Sequence, residues 1–271
     1  MNFRKDIACP ECKSSLDEIN RSLYCVECKK KYPIINNRPI LVPWIDDDSS
    51  RSNELLHAVR SLKEWSKDPH KAFKEKDLKK IFFNELFTKL NPKDPHWNFL
   101  GSKAAGLDEK IPLGSKVLDV GSGDCKYGKL LPGRDYVGTD LVFSSDKHDF
   151  SPIGIVSDAH NLPFYSESFD YVLNMFLMEH VSEPDKILSE MHRVLKINGK
   201  VFALIPLVRP EHLQPFDFYR YTRFGIEHIF KKNGFEIKSI EPSNGSFWTA
   251  ISYASMIAMT RPLVRFGRRS L

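Results

Sequence analysis

A series of short apolar runs, each closed by a polar residue, a proline or a glycine, extends from residue 116 to residue 206. Five runs rich in β-branched and aromatic residues follow one another: KVLDV, YVGTD, GIVSD, FDYVLN and KVFALIP. Segments with helical periodicity alternate with the later runs. Strands that alternate with helices predict an α/β fold built on a doubly wound, mainly parallel sheet.

Two helices are predicted in the second half of this region. The first, in EPDKILSEMHRVLKING, places five apolar side chains on one face: Ile187, Leu188, Met191, Val194 and Leu195. We expect Gly199, just past its end, to act as the C-cap. Thr222 can cap the second helix, which closes at Gly234 before a further strand, FEIKSI.

The sequences on either side lack this strand pattern. Residues 46–112 are charged, with apolar side chains near helical spacing, and we interpret them as a helical connector or cap. Residues 246–271 combine an uncharged helix with a basic tail; we favour a helix buried on the sheet, with peripheral membrane attachment as the alternative. The remaining predicted boundaries are 1–45 for a cysteine-bearing unit and 113–245 for the sheet domain.

Composition and charge are those of an ordinary globular protein. The 271 residues are 41% apolar and 28% charged, enough to bury a sizeable core. The net charge of +5, from 40 basic and 35 acidic residues, gives no clear nucleic-acid footprint. The N-terminus turns polar at once without an apolar signal region, so we expect a cytoplasmic protein, membrane-associated only if the tail attaches.

Four of the five cysteines form two C-x-x-C pairs, Cys9 with Cys12 and Cys25 with Cys28. Two such pairs supply four thiolates, a set that fits tetrahedral zinc. All four ligands come from the protein, so no position remains for water and we expect a structural zinc ion. A unit of about 45 residues has little core of its own, so the metal would supply much of its folding free energy.

The same segment, CPECKSSL to YCVECKKKYPIINNRPIL, resembles the small zinc-ribbon family that includes the activator subunit of tRNA methyltransferases. In that family the second cysteine pair is likewise followed by a Tyr-Pro-Ile segment and a hydrophobic run. Asn37 and Arg38 stand here where that family usually has Gly-Ile. The resemblance covers roughly residues 7–43.

The first strand of the sheet is predicted to run into a glycine turn and then a helix, in KVLDVGSGDCKYGKLL. The turn has only Gly121 and Gly123 where a dinucleotide fingerprint has three glycines. Lys126 stands at the third position, and two acids, Asp119 and Asp124, flank the turn. Carboxylates repel a pyrophosphate but suit a cofactor that carries a sulfonium and an ammonium group. The turn therefore favours S-adenosylmethionine (SAM) over NAD.

Two further acids end the next two predicted strands. Asp140 follows Asp119 by twenty-one residues, and an acid at that place can accept both hydroxyls of a ribose. Asp158 and Ala159 come eighteen residues later and can meet an adenine edge. Acids at three successive strand ends, all on the edge where ligands bind, indicate a binding site rather than turns alone.

Residues 113–241 resemble class I SAM-dependent methyltransferases of the type 11 family. The matching motifs are VLDVGSGDCKYG, YVGTDL, SDAHNLPF, FDYVLNMFLMEHV, ILSEMHRVLKINGKVFALIP and KKNGFEI. The resemblance implies that residues 119–123 hold the methionine part of SAM, residue 140 the ribose and residues 158–159 the adenine. The cofactor-binding set that we expect is Asp119, Gly121, Ser122, Gly123, Asp140, Leu141, Asp158, Ala159 and Asn174.

Candidates for the acceptor side follow the fourth and fifth strands. Glu179 and His180 lie in LMEHV, a pair that is usual in the family, so a structural or cofactor-side role is the alternative for them. His212 and Tyr219 lie in RPEHLQPFDFYRYT, where family members place acceptor-binding loops. We expect His212, His180 and Tyr219 as catalytic candidates, with His212 as general base. A loop held by aromatic packing and an arginine bridge is the alternative.

Three functional hypotheses follow. The first is a SAM-dependent methyltransferase acting on an O or N acceptor of a small-molecule or glycan-type substrate. The second is an rRNA or tRNA base methyltransferase whose ribbon grips RNA through Lys29, Lys30, Lys31 and Arg38, although interleaved aromatic and basic stretches are absent. The third is a non-catalytic binding or activator protein, against which the intact set of acids argues.

Overall fold

A computed structural model describes residues 5–43, 106–142, 152–207 and 211–241. The N-terminal part consists of four short antiparallel strands. Their bounds are Leu16–Ile19 (β1), Ser22–Cys25 (β2), Lys31–Ile35 (β3) and Arg38–Leu41 (β4). The two C-x-x-C pairs lie in the loops and strand ends of this unit, so its cysteines face one another across the hairpins.

The predicted parallel sheet is confirmed. Five strands pair in the order β7-β6-β5-β8-β9, and every pair among them is parallel. Their bounds are Lys116–Val120 (β5), Asp135–Asp140 (β6), Ile155–Ser157 (β7), Phe169–Met175 (β8) and Leu195–Leu204 (β9). Because neighbouring strands run in one direction, their carboxyl ends form one edge of the sheet. Asp119, Asp140 and Asp158 lie at this edge.

The cysteine-bearing unit and the parallel sheet share one continuous nine-stranded sheet. Strand β4 pairs in parallel with β7 through Ile40 with Val156 and Leu41 with Ser157. Buried residues of both parts belong to the same hydrophobic cluster, for example Leu41 of β4 and Val120 of β5. The unit therefore covers the edge of β7 that would otherwise expose unpaired backbone groups.

Three α-helices are present among the described residues. Their bounds are Leu107–Lys110 (α1), Pro184–Val194 (α2) and Arg223–Lys232 (α3). The predicted cap of α3 is present, since the Thr222 hydroxyl accepts a hydrogen bond of 3.1 Å from the amide of Gly225. One face of α2 is buried against the sheet, as its periodicity predicts, through Ile187, Leu188, Met191 and Val194.

Three local predictions are wrong. The helix expected after the glycine turn is only a 3-10 helix, Lys126–Leu130. Helix α2 ends at Val194, and Gly199 lies inside β9 rather than at a C-cap, because the chain passes directly from helix to strand. The strand expected in FEIKSI is absent, since residues 235–240 have no regular secondary structure.

Other predictions fall wholly or mostly outside the described residues. These are the helical connector of residues 46–112, of which only its end with α1 is described, and the uncharged helix with basic tail, 246–271. Within the described ranges, the helices are too short or too polar to cross a membrane.

Candidate functional site

The glycine turn has the backbone geometry that its sequence predicts. Gly121 and Gly123 have φ angles of 72° and 55°, in the left-handed region that L side chains rarely adopt. A Cβ atom at position 121 would lie 2.9 Å from Cδ1 of Leu177, whereas one at position 123 would have no atom of the described residues within 4 Å. Ser122 between them is buried. The turn thus leaves room for a ligand on the side of Gly123.

Asp119 lies one residue before the end of β5, and its carboxyl group is fully buried. Its Oδ2 accepts a hydrogen bond of 2.6 Å from the Tyr136 hydroxyl, a partner that no pattern in the sequence indicates. Its Oδ1 accepts none from the described residues. Burial raises the pKa of Asp119 to about 7, although the hydrogen bond from Tyr136 opposes this. A buried carboxyl oxygen without a donor fits a ligand that brings one.

Asp140 connects the end of β6 to the glycine turn. Its Oδ2 accepts the amide of Gly123 at 3.0 Å, and its Oδ1 accepts the amide of Val142 at 2.8 Å. Leu141, which lies between Asp140 and Val142 in the chain, is partly buried against a neighbouring apolar cluster. The carboxylate is therefore held at the same edge as Asp119, beside the open position at Gly123.

Asp158 follows β7 at the next strand end along the same edge. Its Oδ1 lies 2.9 Å from the backbone amide of His160 and 2.7 Å from His160 Nδ1. Ala159 begins a 3-10 helix, Ala159–Asn161, and is partly buried. These contacts fix the turn at residues 158–160, where the sequence predicts a contact with adenine.

Asn174 lies near the end of β8, where it pairs with Val120 of β5. The side chain is fully buried, and its Nδ2 lies 3.5 Å from Met191 Sδ. Its Oδ1 finds no donor among the described residues. The edge therefore holds two buried oxygen atoms, on Asp119 and Asn174, that the described chain itself does not satisfy.

A second group of polar side chains lies beyond β8. Glu179, His180 and His212 offer ligand-type atoms that all lie within 4.8 Å of one another. Glu179 is fully buried, and the imidazole rings of His180 and His212 pack edge to face with centroids 4.7 Å apart. The structure thus brings together two of the three catalytic candidates, from segments 32 residues apart in the sequence.

The segment that carries His212 is tied down by an arginine bridge. Arg220 donates to both carboxylate oxygens of Asp217 at 2.6 and 2.8 Å. Although burial opposes it, these bonds and that of the His212 amide lower the pKa of Asp217. The backbone amides of Phe218 and Tyr219 donate to the carbonyl of Glu179. Both sequence interpretations of this loop, a functional one and a structural one, are therefore compatible with its geometry.

Tyr219, the third catalytic candidate, has its hydroxyl engaged elsewhere. The hydroxyl donates to the carbonyl of Ser182 at 3.1 Å, and the ring lies 5.6 Å from that of Tyr221. Both rings line a surface cavity of about 470 Å³ together with residues 182–186. The contact with Ser182 gives Tyr219 a structural partner.

The four paired cysteines form one compact cluster. Cys28 Sγ lies 3.2 Å from Cys12 Sγ, 3.3 Å from Cys25 Sγ and 3.4 Å from Cys9 Sγ, and none of the four forms a disulfide. Four sulphur atoms around zinc lie about 3.8 Å apart at ordinary Zn–S distances, so a zinc ion fits with small outward movements. Tyr32, which is also buried, contacts Cys9 Sγ through its hydroxyl at 3.5 Å.

Two family models match the chain. One is described as a methyltransferase domain and matches residues 118–203. The other is described as a Trm112p-like protein and matches residues 7–37. The first range holds the glycine turn and three of the strand-end motifs, and the second holds all four paired cysteines.

Curated relatives and solved structures are also similar to parts of the chain. The tRNA (carboxymethyluridine(34)-5-O)-methyltransferase of Arabidopsis thaliana is 32% identical over 108 residues, which are 38% of this chain and 27% of that protein. The demethylmenaquinone methyltransferase of Thermotoga maritima is 30% identical over 166 residues, 47% of this chain and 72% of that protein. A solved phosphoethanolamine N-methyltransferase 2 of Haemonchus contortus, in complex with SAM, shares 25% identity and a TM-score of 0.39, over 49% of this chain and 36% of that one.

The chain spans about a quarter to a half of the length of several curated relatives. It covers more than two thirds of the Thermotoga maritima protein, however, at 30% identity. The motifs that carried the resemblance lie within the matched ranges, and the parallel sheet presents their acids on one edge. The chain therefore belongs to the methyltransferase-domain family, and it carries a Trm112p-like segment at its N-terminal end.

Proposed function

We propose that the protein is a SAM-dependent methyltransferase that acts on an O or N acceptor of a small-molecule or glycan-type substrate. The observation that carries the proposal is the pair of buried oxygen atoms on Asp119 and Asn174 beside an open glycine turn. Such an edge suits a ligand with hydrogen-bond donors and positive charge. Family membership supports the same cofactor.

Each part of the edge has a proposed role toward SAM. Asp119 and the turn to Gly123 would hold the methionine part, with the ionised Asp119 facing its ammonium group. Asp140 and Leu141 would hold the ribose, and Asp158 with Ala159 the adenine. SAM, when bound, supplies a methyl group on a positively charged sulphur atom, and the sulphur keeps the electron pair of the broken bond.

The acceptor side is proposed at His212 and His180. His212 Nδ1 lies 3.4 Å from Asp217 Oδ2 and 3.5 Å from Arg220 Nη2, so this ion pair orients the imidazole ring. In this arrangement His212 takes the proton that an O or N acceptor loses as its new bond to carbon forms. His180 would position the acceptor, and Tyr219, bonded to Ser182, would contribute through its ring.

The four-cysteine cluster is proposed to hold a structural zinc ion. Four free thiols within hydrogen-bond distance of one another match the donor set of such sites. A reducing compartment such as the cytoplasm suits them, because the thiolate is the ligand form. The zinc would hold the hairpins that carry β4 against β7.

A second candidate function, methylation of tRNA or rRNA, is favoured by two comparisons. One relative is a tRNA methyltransferase, and the N-terminal segment is Trm112p-like. The cysteine-bearing unit offers three exposed lysines, Lys29, Lys30 and Lys31, for contacts with RNA phosphates. Arg38, however, donates to the carbonyls of Ile153 and Asn36 and so serves the fold.

Calorimetric titration with SAM tests the proposal. We expect one SAM per chain, with affinity at least tenfold lower in Asp140→Asn, because the amide cannot accept from two hydroxyls as the carboxylate does. Asp17→Asn, at an exposed position of β1, is the matched control and should bind as the wild type. Absence of SAM binding to the wild-type protein would overturn both proposed methyltransferase functions.

Radiolabelled methyl transfer separates the two acceptor classes. Incorporation into a pool of small amines, phenols and glycans, but not into total RNA, supports the first function. Incorporation into RNA that falls steeply with salt supports the second, because phosphate contacts release counterions.

A further inference from the structure

The hydroxyl group of Tyr127 is buried without a partner among the described residues. Tyr127 lies in the 3-10 helix Lys126–Leu130, directly after the glycine turn, and only 2% of the residue is exposed. Its hydroxyl oxygen makes no hydrogen bond within the described ranges. Burying a hydroxyl in this way costs free energy that a phenylalanine at the same position would avoid. The hydroxyl therefore indicates a bound ligand that completes its hydrogen bonding.

This hydroxyl is suited to donate to an anionic group. Burial and, to a smaller extent, the negative charges of Asp119 and Asp124 raise the pKa of Tyr127, so the hydroxyl keeps its proton at neutral pH. A buried donor forms its strongest hydrogen bonds with ionised acceptors such as carboxylates. Because the two acids of the turn would repel a carboxylate ligand, such a ligand also needs a positive charge nearby.

Lys126 brings a positive charge to the same place. Its Nζ lies 5.4 Å from the centre of the Tyr127 ring, and the residue is partly buried. Its charge reaches the start of the turn as well: burial raises the pKa of Asp119, and Lys126 counteracts this. Lys126 stands where a dinucleotide fingerprint has its third glycine. The turn thus combines a cation and a hydroxyl donor with the carboxylates of Asp119 and Asp124.

We propose that Lys126 and Tyr127 bind the carboxylate at the amino-acid end of SAM. That end is a zwitterion, so its site must provide for one ammonium group and one carboxylate. Asp119 is proposed above to face the ammonium group. Tyr127 donates a hydrogen bond to the carboxylate, and Lys126 supplies the opposite charge. The inference rests on the proposed methyltransferase function and extends its cofactor site from Gly123 into the 3-10 helix.

Calorimetric titration with SAM and with decarboxylated SAM tests the assignment. Decarboxylated SAM keeps the sulfonium and ammonium groups and lacks only the carboxylate. We expect the wild type to prefer SAM at least tenfold, because its carboxylate gains a charged hydrogen bond. Tyr127→Phe and Lys126→Gln should each lower this preference several-fold, by weakening the binding of SAM but not that of decarboxylated SAM. Lys129→Gln, at an exposed position of the same 3-10 helix, is the matched control and should keep the preference.

Thermal melts of the SAM-free protein separate ligand binding from a role in the fold. Tyr127→Phe should keep the wild-type Tm or raise it, because the lost hydroxyl has no partner in the described chain. A lowered Tm, with both ligands weakened equally, would assign the hydroxyl to the fold and overturn its role toward SAM. Lys126→Gln, at a partly exposed position, serves if Tyr127→Phe does not fold.

The two ligands also separate this inference from the proposed function. Wild-type protein that binds SAM and decarboxylated SAM equally overturns the carboxylate site but leaves the methyltransferase function standing. Retention of the wild-type preference by both Tyr127→Phe and Lys126→Gln has the same consequence. Wild-type protein that binds neither ligand overturns the methyltransferase function itself.

Discussion

At the scale of single residues, Asp119 joins burial, charge and the proposed cofactor in one carboxyl group. Its pKa of about 7 lies well above the ordinary value of 3.8, chiefly because burial disfavours the charged form. Between about pH 4 and 7 the folded chain therefore binds a proton that the unfolded chain has released. Raising the pH through this window lowers the free energy of unfolding of the cofactor-free protein, by at most about 1.4 kcal/mol per pH unit.

SAM binding should show the opposite pH dependence. A cationic ligand favours the ionised carboxylate, so we expect affinity for SAM to rise up to tenfold per pH unit below about pH 7 and to level off above it. Titration calorimetry from pH 5 to 8 measures this curve. Asp119→Asn should bind SAM more weakly, and its affinity should no longer rise with pH near pH 7.

Tyr136→Phe gives a sharper control for that curve. The Tyr136 hydroxyl bonds to the carboxylate of Asp119 and lowers its pKa, so its removal should move the rise in SAM affinity to higher pH. If the pH-dependent rise in SAM affinity persists in Asp119→Asn, or does not shift in Tyr136→Phe, the titrating group is not Asp119.

The residues of the site differ in how far sequence could predict them. Asp119, Asp140 and Asp158 lie at or just after the carboxyl ends of their strands. A parallel sheet brings these ends to one edge, so the proximity of the three acids follows from the fold class. The contact between Tyr136 and Asp119 depends on how side chains of two neighbouring strands meet, which no local pattern encodes. The meeting of His212 with Glu179 likewise depends on a loop that is held by tertiary contacts.

At the scale of elements, helix α2 connects the sheet domain to the cysteine-bearing unit. Glu190 of α2 accepts from Lys13 of the first cysteine loop at 3.0 Å, and from Arg193 at 2.6 and 2.8 Å. Although burial opposes it, the bonds from Arg193 and the charge of Lys13 lower the pKa of Glu190. Lys13 also donates to the carbonyl of Leu162, which places the loop on the sheet domain.

Glu190→Gln should destabilise the protein by roughly 1–3 kcal/mol, because charged hydrogen bonds are lost and Lys13 is left partly buried without its partner. Glu183→Gln removes a pair with Lys186 that is more than half exposed, so it should cost less than about 1 kcal/mol. Urea unfolding of both variants gives the comparison. Equal losses for the two would show that the Glu190 contacts add no more to stability than an exposed ion pair does.

A double-mutant cycle assigns the loss to the contact between the two parts. Lys13→Gln and Glu190→Gln together should cost less than the sum of the single changes, since both remove the same pair. Additive losses would instead place the effect of Glu190 in its contact with Arg193, within α2 itself.

Element types were easier to predict than their ends and partners. The periodicity of α2 and the apolar runs of β5 to β9 identify them because burial on one face or both requires those patterns. The end of α2 at Val194 is decided by pairing of the next residue, Leu195, with Phe169 of β8. That pairing is a long-range contact, and it overrides the local signal of Gly199.

At the scale of the whole molecule, the pairing of β4 with β7 makes the cysteine cluster part of the methyltransferase sheet. Asp158 comes directly after β7, whose Val156 and Ser157 pair with Ile40 and Leu41 of β4. Cys9 and Cys25 are buried in the same cluster as Leu118 and Val120 of β5. The sequence shows both parts but not this junction, because either edge of the sheet could pair with the apolar β4.

Loss of the proposed zinc should therefore weaken both stability and SAM binding. Cys12→Ser removes an exposed ligand with little change in packing. We expect less than one zinc per chain and a Tm lowered by at least about 5 °C, the shift that about 2 kcal/mol gives in a chain of this size. SAM affinity should fall several-fold, because β4 no longer holds β7 and the turn at Asp158.

Cys125→Ser provides the comparison for zinc content, since Cys125 lies outside the paired cysteines and should keep one zinc per chain. Elemental analysis, thermal melts and SAM titration of the same preparations test the coupling. If Cys12→Ser loses zinc but keeps the wild-type Tm and SAM affinity, the hairpins fold without metal and the junction does not depend on it. If the Tm falls while SAM affinity is unchanged, the zinc stabilises the sheet, but the position of Asp158 is set by the methyltransferase strands alone.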